Sequence, residues 1–175
     1  PHCKTILAVG GSLGSKSINE ALARKVHEFE SLGLQLIWQT GKATAAAYVD
    51  RGKSYKNVWV SEFIQDMDKA YAAADAVISR AGAMTVAELC VAGKPVVFVP
   101  YPFAAEDHQT VNAKYLVDRD AAMMVKDSET LTRLFSSITV LAKDEELQQK
   151  FKSNISKYCV KDADERVAKE ILKCL

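Results

Sequence analysis

The chain is poor in cysteine, proline and glycine, and neither sign of charge prevails. Its 175 residues include 4 cysteines, 4 prolines and 8 glycines, and 23 lysines plus arginines balance 22 aspartates plus glutamates. A formal net charge of +1 provides no general basic surface for a phosphate backbone, so we expect no nucleic-acid partner. The longest apolar runs, such as residues 95–101, are far shorter than the roughly 20 residues that span a bilayer, so we predict no transmembrane segment.

The scarcity of cysteine excludes a disulfide scaffold, and the spacing lacks the C-x-x-C pairs of zinc and redox sites. We therefore predict free thiols at Cys3, Cys90, Cys159 and Cys174, as in a reducing compartment. No long apolar core or cleavage site of a signal peptide precedes the first apolar run. Since the first residue is Pro1 rather than methionine, we expect the chain to be a fragment of a longer protein.

Six short apolar or β-branched runs are present. They cover residues 6–10, 36–40, 58–63, 76–80, 95–100 and 121–125. Most are apolar nearly throughout, which is typical of parallel strands covered by helices on both faces. Between these runs, apolar residues recur at helical spacing, and three more helical patterns follow the sixth run. The helices predicted between the runs cover residues 17–32, 42–51, 66–74, 85–92 and 107–117. We predict one doubly wound α/β domain of about six strands, with ligands beyond their carboxyl ends.

The first run leads into a glycine-rich turn at residues 10–15, GGSLGS, and then into a helical segment. Gly11 and Gly14 let the backbone approach a ligand closely, and the free N–H groups and dipole of the helix start favour an anion such as phosphate. The spacing is not G-x-G-x-x-G, because Ser12 takes the place of the second glycine, and no P-loop lysine is present at its spacing. A purely structural tight turn remains an alternative.

The fourth run is followed by Thr85 and Glu88, whose spacing fits a capping box. In that interpretation each side chain satisfies a backbone N–H group at the start of the next helix. In the alternative, Glu88 lies on the first turn, faces the cleft and accepts two hydrogen bonds from a vicinal diol such as a ribose, for which a carboxylate has paired acceptors. The spacing does not decide between the two.

The loop after the fifth run enters a helix, with two stiffening prolines and Asp107 as its predicted N-cap. His108 and Gln109 then lie in the first turn of the helix, where polar side chains can project over a ligand. An ordinary surface position for His108 is the alternative.

The third run ends in Phe63 and Ile64, and Met67 follows shortly after. These apolar side chains can flank a planar base, or they can pack in the core. Residues 66–68 also match a D-x-D metal pattern. Two other segments repeat that pattern, and acidic residues favour helix starts in any case, so we predict no metal site.

Taken in order, these segments closely resemble the C-terminal half of the MurG family. The motifs that carry the likeness are GGSLGS, EFIQDM, SRAGAMTVAEL, FVPYPFAAEDHQTVNA and DADERVAKEI, and together they cover nearly the whole chain. Members of this family transfer N-acetylglucosamine from UDP-N-acetylglucosamine to the lipid-linked muramoyl-pentapeptide precursor of peptidoglycan. The resemblance implies a C-terminal domain of the GT-B fold, spanning residues 1–175, which binds the donor.

The resemblance also implies roles for particular residues. Ser12 and the amides around Gly11 and Gly14 would bind the donor diphosphate, and Glu88 would bind the ribose hydroxyls. The uracil would be held by the backbone of Ile64, with two apolar side chains beside it, Phe63 and Met67. The remaining donor-binding positions surround the diphosphate and the sugar and are Ala83, Met84, Thr85, His108 and Gln109.

By the same resemblance, this half of the enzyme contains no catalytic base. The base and the acceptor site would lie in an N-terminal domain that this sequence lacks, so the chain alone would be inactive. The family inverts the anomeric centre and needs no cofactor beyond its donor, and the full-length enzyme would lie at the cytoplasmic face of the membrane. Two alternatives are a subunit of a two-chain N-acetylglucosaminyltransferase and a UDP-sugar epimerase.

Overall fold

A parallel β-sheet forms the centre of the molecule, in a computed structural model that describes residues 3–42 and 45–173. Its strands are β1 (Lys4–Val9), β2 (Leu34–Gln39), β3 (Val58–Ser61), β4 (Ala76–Ser79), β5 (Val96–Phe98) and β6 (Met123–Met124). They lie in the order β3-β2-β1-β4-β5-β6, and each neighbouring pair is parallel. This is the doubly wound arrangement that the apolar runs predict, and the predicted fold class is confirmed.

Helices cover both faces of this sheet. They are α1 (Lys16–Lys25), α2 (Glu28–Ser31), α3 (Ala45–Lys53), α4 (Met67–Ala73), α5 (Ala83–Ala92), α6 (His108–Val117), α7 (Phe135–Lys143), α8 (Glu145–Ile155) and α9 (Ala163–Leu172). The helix predicted over residues 17–32 is two helices, α1 and α2, joined by a short turn. Both helices bury residues at the same spacing, so apolar periodicity does not detect the turn. Part of the helix predicted over residues 42–51 lies outside the described residues.

The strands alternate their side chains between two apolar cores. Ile6 and Ile78 point into the core under α1 and α7, whereas Leu7 and Val77 point into the core under α5 and α6, and all four are fully buried. Burial on both faces explains why the strands read as continuous apolar runs.

The outermost strands are shorter than predicted. The third ends at Ser61 rather than at residue 63, and the sixth comprises only Met123–Met124 within the predicted 121–125. Both are edge strands, with a partner on one side only, so the hydrogen-bonded ladder ends before the apolar sequence does. Ala121, Ala122 and Val125 are still buried, which accounts for the longer apolar run.

Three of the cysteines, Cys3, Cys90 and Cys159, carry free thiols, and Cys174 lies outside the described residues. Over residues 3–42 and 45–173, no helix is long and apolar enough to cross a membrane. In that same part of the chain, no group of three or more histidines, cysteines, aspartates and glutamates could hold a metal ion.

A buried asparagine in α1 fixes the end of β2. The Asn19 amide donates to the carbonyl oxygen of Thr40 at 2.8 Å, and its Oδ1 accepts a hydrogen bond from the Trp38 indole N–H at 2.9 Å. Asn19 is only 1% exposed. Because both partners lie in β2 or directly after it, the side chain sets the distance between α1 and this strand end.

We expect Asn19→Leu to lower the free energy of unfolding by about 2–3 kcal/mol, because the Trp38 indole and the Thr40 carbonyl both lose a buried partner. Urea denaturation followed by circular dichroism measures the change. Arg24→Gln, on the exposed face of the same helix, is the matched control and should change stability by about 0.5 kcal/mol or less. Equal stabilities of Asn19→Leu and the wild-type chain would contradict the assigned role.

Candidate functional site

Three loops that follow strands line one cleft at the carboxyl edge of the sheet. This central cleft has a volume of about 680 Å³. Its lining consists of residues 10–17, Arg80, Gly82, Thr85, residues 101–103, Gln109 and Asp127. It lies where the strand order reverses, between β1 and β4, the place where doubly wound sheets bind their ligands. Its volume falls in the range usual for small-molecule sites.

In the glycine turn, Gly14 is packed against the rest of the chain, whereas Gly11 is open to solvent. Gly11 and Gly14 have φ of +86° and +82°, and the Gly14 amide donates to the Gly11 carbonyl at 3.0 Å. A Cβ at Gly14 would collide with the carbonyl oxygen of Thr40, whereas a Cβ at Gly11 would meet nothing within 4 Å. The structural interpretation therefore accounts for Gly14. At Gly11 the backbone stays open on the side where a ligand can approach.

Two helix N-termini meet at the central cleft. Helix α1 begins after Ser15, whose Oγ accepts a hydrogen bond from the Ile18 amide at 3.4 Å. Helix α5 begins after Gly82, which has no side chain to satisfy the first amides of the helix. Unsatisfied N–H groups and the positive end of the helix dipole favour an anion at such positions. The glycine turn and the start of α5 thus present N–H groups to the same space.

Of the two interpretations of Thr85 and Glu88, the capping box does not form. Helix α5 starts at Ala83, three residues earlier than the pattern requires, so Thr85 is the third residue of the helix and Glu88 lies in its second turn. Gly82 occupies the N-cap position with extended backbone, and a glycine cap leaves no side-chain signature in the sequence. The carboxylate of Glu88 is therefore free of a capping role, and it accepts a hydrogen bond from the Tyr71 hydroxyl at 3.1 Å.

A largely buried arginine, to which the sequence motifs assign no role, forms the floor of the central cleft. The guanidinium of Arg80 donates to the carbonyl oxygens of Val99 and Pro100, both at 3.0 Å, and to Asp127 Oδ1 at 2.5 Å. On its other side it donates to the Ser15 Oγ at 2.6 Å. Its side chain is 13% exposed. The signal in the sequence is a charged residue that ends an otherwise apolar run.

A buried glutamine, also absent from the predicted set, connects the glycine turn to residue 64. The Gln39 side chain donates to the Gly11 carbonyl at 3.1 Å, and its Oε1 accepts a hydrogen bond from the Ile64 amide at 2.9 Å. Gln39 is 3% exposed and ends β2. The resemblance implies that the backbone of Ile64 holds uracil, and the N–H group of that backbone has an internal partner in this structure.

The two predicted residues at the start of α6, Gln109 and His108, lie in different surroundings. Gln109 lines the central cleft, and its Oε1 accepts hydrogen bonds from the amides of Ala81 and Tyr101 at 3.2 Å and 3.0 Å. His108 is exposed, and its Nδ1–H donates to the Ala105 carbonyl at 2.8 Å. His108 does not line the central cleft, and its predicted contact with the donor stays a prediction.

The predicted N-cap Asp107 does precede α6, but it makes no side-chain cap bond to the helix backbone. Its carboxylate accepts a hydrogen bond from the Thr110 hydroxyl at 2.7 Å instead. Asp107 and Glu106 both have left-handed backbone, with φ of 52° and 51°, which turns the carboxylate away from the usual capping geometry.

Aromatic rings form one wall of the central cleft. The Tyr101 ring lies 5.5 Å from the Arg80 guanidinium, and the Phe103 ring packs edge-on against Tyr101 with 5.7 Å between the ring centroids. Phe103 is 82% exposed. The wall is therefore apolar above and positively charged at its base.

Two further depressions lie beside the central cleft. The outer hollow, of about 510 Å³, is lined by Phe63, Ile64 and six neighbours, namely Ile37, Trp59, Gln65, Asp66, Lys69 and Ala70. The α4–α5 groove, of about 720 Å³, is lined by residues of those two helices and by Lys94, and it includes Met67, Tyr71, Met84 and Glu88. The Phe63 ring is 51% exposed, whereas Ile64 is buried in the core beneath.

The twelve predicted donor-binding residues are thus distributed over adjacent surfaces. Those that line the central cleft are Gly11, Ser12, Gly14, Thr85 and Gln109. Met67, Met84 and Glu88 line the α4–α5 groove, and Phe63 and Ile64 line the outer hollow. Ala83 lines another depression, which also includes Cys90, and His108 lines none of the three. Glu88 lines the α4–α5 groove rather than the central cleft, because the second turn of α5 faces α4. Its predicted contact with the ribose stays a prediction.

The order of the strands, the glycine turn and the cleft at the point where the strand order reverses define a doubly wound α/β domain. Domains of this kind are found in GT-B glycosyltransferases. Residues 5–167 match the glycosyltransferase family 28 C-terminal domain. The chain belongs to this family.

Individual relatives support the same placement. The chain is 43% identical over 177 residues to a protein of Parabacteroides distasonis, covering 100% of this chain and 48% of that protein. It is 44% identical over 178 residues to a protein of Bacteroides thetaiotaomicron, and the match covers 99% of this chain and 48% of that protein. Both are named UDP-N-acetylglucosamine–N-acetylmuramyl-(pentapeptide) pyrophosphoryl-undecaprenol N-acetylglucosamine transferase.

Among solved structures, MurG of Acinetobacter baumannii superposes with a TM-score of 0.83 at 36% identity, covering 98% of this chain and 52% of that chain. The resemblance to the MurG family that the ordered motifs indicate is thereby confirmed. The chain spans about half the length of the curated relatives it matches.

We expect Arg80→Gln to lower the free energy of unfolding by about 2–4 kcal/mol, because Asp127 loses its ion pair and the carbonyls of residues 99 and 100 lose their donor. Urea denaturation measures the change. Arg133→Gln breaks an exposed ion pair with Glu129 and should lower stability by less than about 1 kcal/mol. If the two variants were equally stable, Arg80 would not brace the cleft.

Proposed function

We propose that this chain is the donor-binding domain of a glycosyltransferase, and that its donor is UDP-N-acetylglucosamine. The observation that carries the proposal is the meeting of the glycine turn and the α5 N-terminus in one cleft at the switch point of the sheet. The names of the curated relatives supply the identity of the donor. We infer that residues 1–175 act as this single domain.

The diphosphate is proposed to bind in the central cleft, with its oxygens near the backbone at Gly11 and at Thr85. Negative charge grows on the diphosphate as the bond to the sugar breaks. Fixed N–H groups at two helix N-termini stabilise that charge without reorganising, which lowers the barrier to departure of UDP. Ser12, exposed in the turn, can add a hydroxyl donor.

The nucleoside is proposed to lie beside the diphosphate, toward α4. The half-exposed Phe63 ring offers a face for the uracil, and the carboxylate of Glu88 offers acceptors for the ribose hydroxyls. The Ile64 amide can bind the base only if it releases Gln39. The sugar is proposed to lie toward Gln109 and the aromatic wall formed by Tyr101 and Phe103.

The acceptor and the catalytic base are proposed to belong to another part of the full-length protein. Among the described residues that line the central cleft, the one carboxylate is Asp127, and it is already engaged by Arg80 and by the Ser17 hydroxyl. The relatives' names contain an undecaprenol-linked acceptor. We therefore propose that the full-length protein transfers N-acetylglucosamine to such a lipid with inversion, at the cytoplasmic face of a membrane.

We expect isothermal titration calorimetry to detect saturable binding of UDP and UDP-N-acetylglucosamine at up to millimolar concentration. Glu88→Ala should weaken UDP binding by about 1–3 kcal/mol, because ribose hydroxyls would lose their acceptor.

The matched control is Glu30→Ala, which removes an exposed carboxylate on α2, outside the three depressions, and should leave the affinity unchanged. The absence of any saturable signal for either nucleotide, from protein that unfolds cooperatively, would refute the proposed function. An unchanged affinity of Glu88→Ala would refute only the placement of the ribose.

A further inference from the structure

The carboxylate that is proposed to bind the ribose has a buried partner on the neighbouring helix. The Tyr71 hydroxyl donates to Glu88 Oε2 at 3.1 Å, across the α4–α5 groove that both residues line. Tyr71 is 8% exposed and packs in the core under α5 and α6. Its ring is therefore fixed by packing, and the hydroxyl presents a donor at a fixed point.

Glu88 itself is exposed, and a glutamate has three rotatable bonds. Over residues 3–42 and 45–173, no lysine, arginine or histidine forms an ion pair with it. Lys94, which lines the same groove, donates instead to the Ala74 carbonyl at 2.8 Å. The hydroxyl of Tyr71 is thus the contact that holds the carboxylate in one orientation.

We propose that Tyr71 is a positioning residue for donor recognition: it holds one oxygen of Glu88 so that the other faces the ribose. This inference rests on the proposed function, since it assumes that the ribose contacts Glu88. A carboxylate with one oxygen fixed loses less conformational freedom when it binds a diol, and the ligand gains the corresponding affinity.

The protonation state of Tyr71 agrees with this role. Burial and the neighbouring Glu88 carboxylate raise the pKa of the Tyr71 phenol well above its usual range. The hydroxyl therefore remains a donor at any pH at which the chain would work.

The test compares UDP with 2′,3′-dideoxy-UDP by calorimetry on the wild-type chain and on Tyr71→Phe, Glu88→Gln and the double variant. We expect Tyr71→Phe to weaken UDP binding about three- to tenfold and to leave dideoxy-UDP binding unchanged, because only the contact with the hydroxyls is affected. The double variant should bind UDP no more weakly than Glu88→Gln. Tyr115→Phe, which removes a hydroxyl on α6 outside the three depressions, should match the wild type.

The outcomes separate this inference from the proposed function. If the wild-type chain binds neither nucleotide, the proposed function fails. If it prefers UDP through Glu88 but Tyr71→Phe keeps that preference, or weakens both ligands equally, the positioning role is refuted. If Tyr71→Phe does not fold, Glu88→Asp is measured in its place. We expect it to bind UDP more weakly than the wild type, because the shorter side chain cannot reach Tyr71 and the ribose together. An Asp variant that binds UDP as the wild type does would overturn the proposal.

Discussion

One largely buried guanidinium holds together four chain segments that are distant in sequence. Arg80, at the end of β4, binds the serine hydroxyls at the start of α1, the two carbonyls after β5 and the carboxylate of Asp127. Its planar set of N–H donors reaches all of them at once, which a lysine cannot do. The glycine turn, the loop before α6 and the start of α5 keep their relative positions because this residue lies beneath them.

Above Arg80, the groups of the cleft that can bind an anion are backbone N–H groups. An anion at the start of α1 or α5 gains hydrogen bonds and favourable dipole interactions without a dedicated cation above it. This arrangement suits a departing diphosphate, whose charge rises during the reaction. It does not suit proton abstraction, because the carboxylate of Asp127 is engaged in holding Arg80. For this reason the proposed function assigns activation of the acceptor to another part of the full-length protein.

The sequence was sufficient for the sheet and insufficient for the details of the site. Continuous apolar runs such as the one before Arg80 reflect burial on both faces, which is a local property of the chain. The start of α5 escaped prediction because a glycine cap has no side-chain signature. The roles of Gln39 and Arg80 depend on partners many residues away, and the orientation of Glu88 toward α4 depends on where the helix begins. Such contacts form only when the chain folds.

The central claim is that the cleft amides bind the diphosphate, and a two-dimensional NMR titration of the isotope-labelled chain tests it most directly. Titration with UDP and separately with uridine distinguishes contacts to phosphate from contacts to the nucleoside. We predict that the amide signals of Gly11 and Thr85 shift with UDP but not with uridine, while that of Phe63 shifts with both. Binding of UDP that leaves the amides of Gly11 and Thr85 unmoved would contradict the claim.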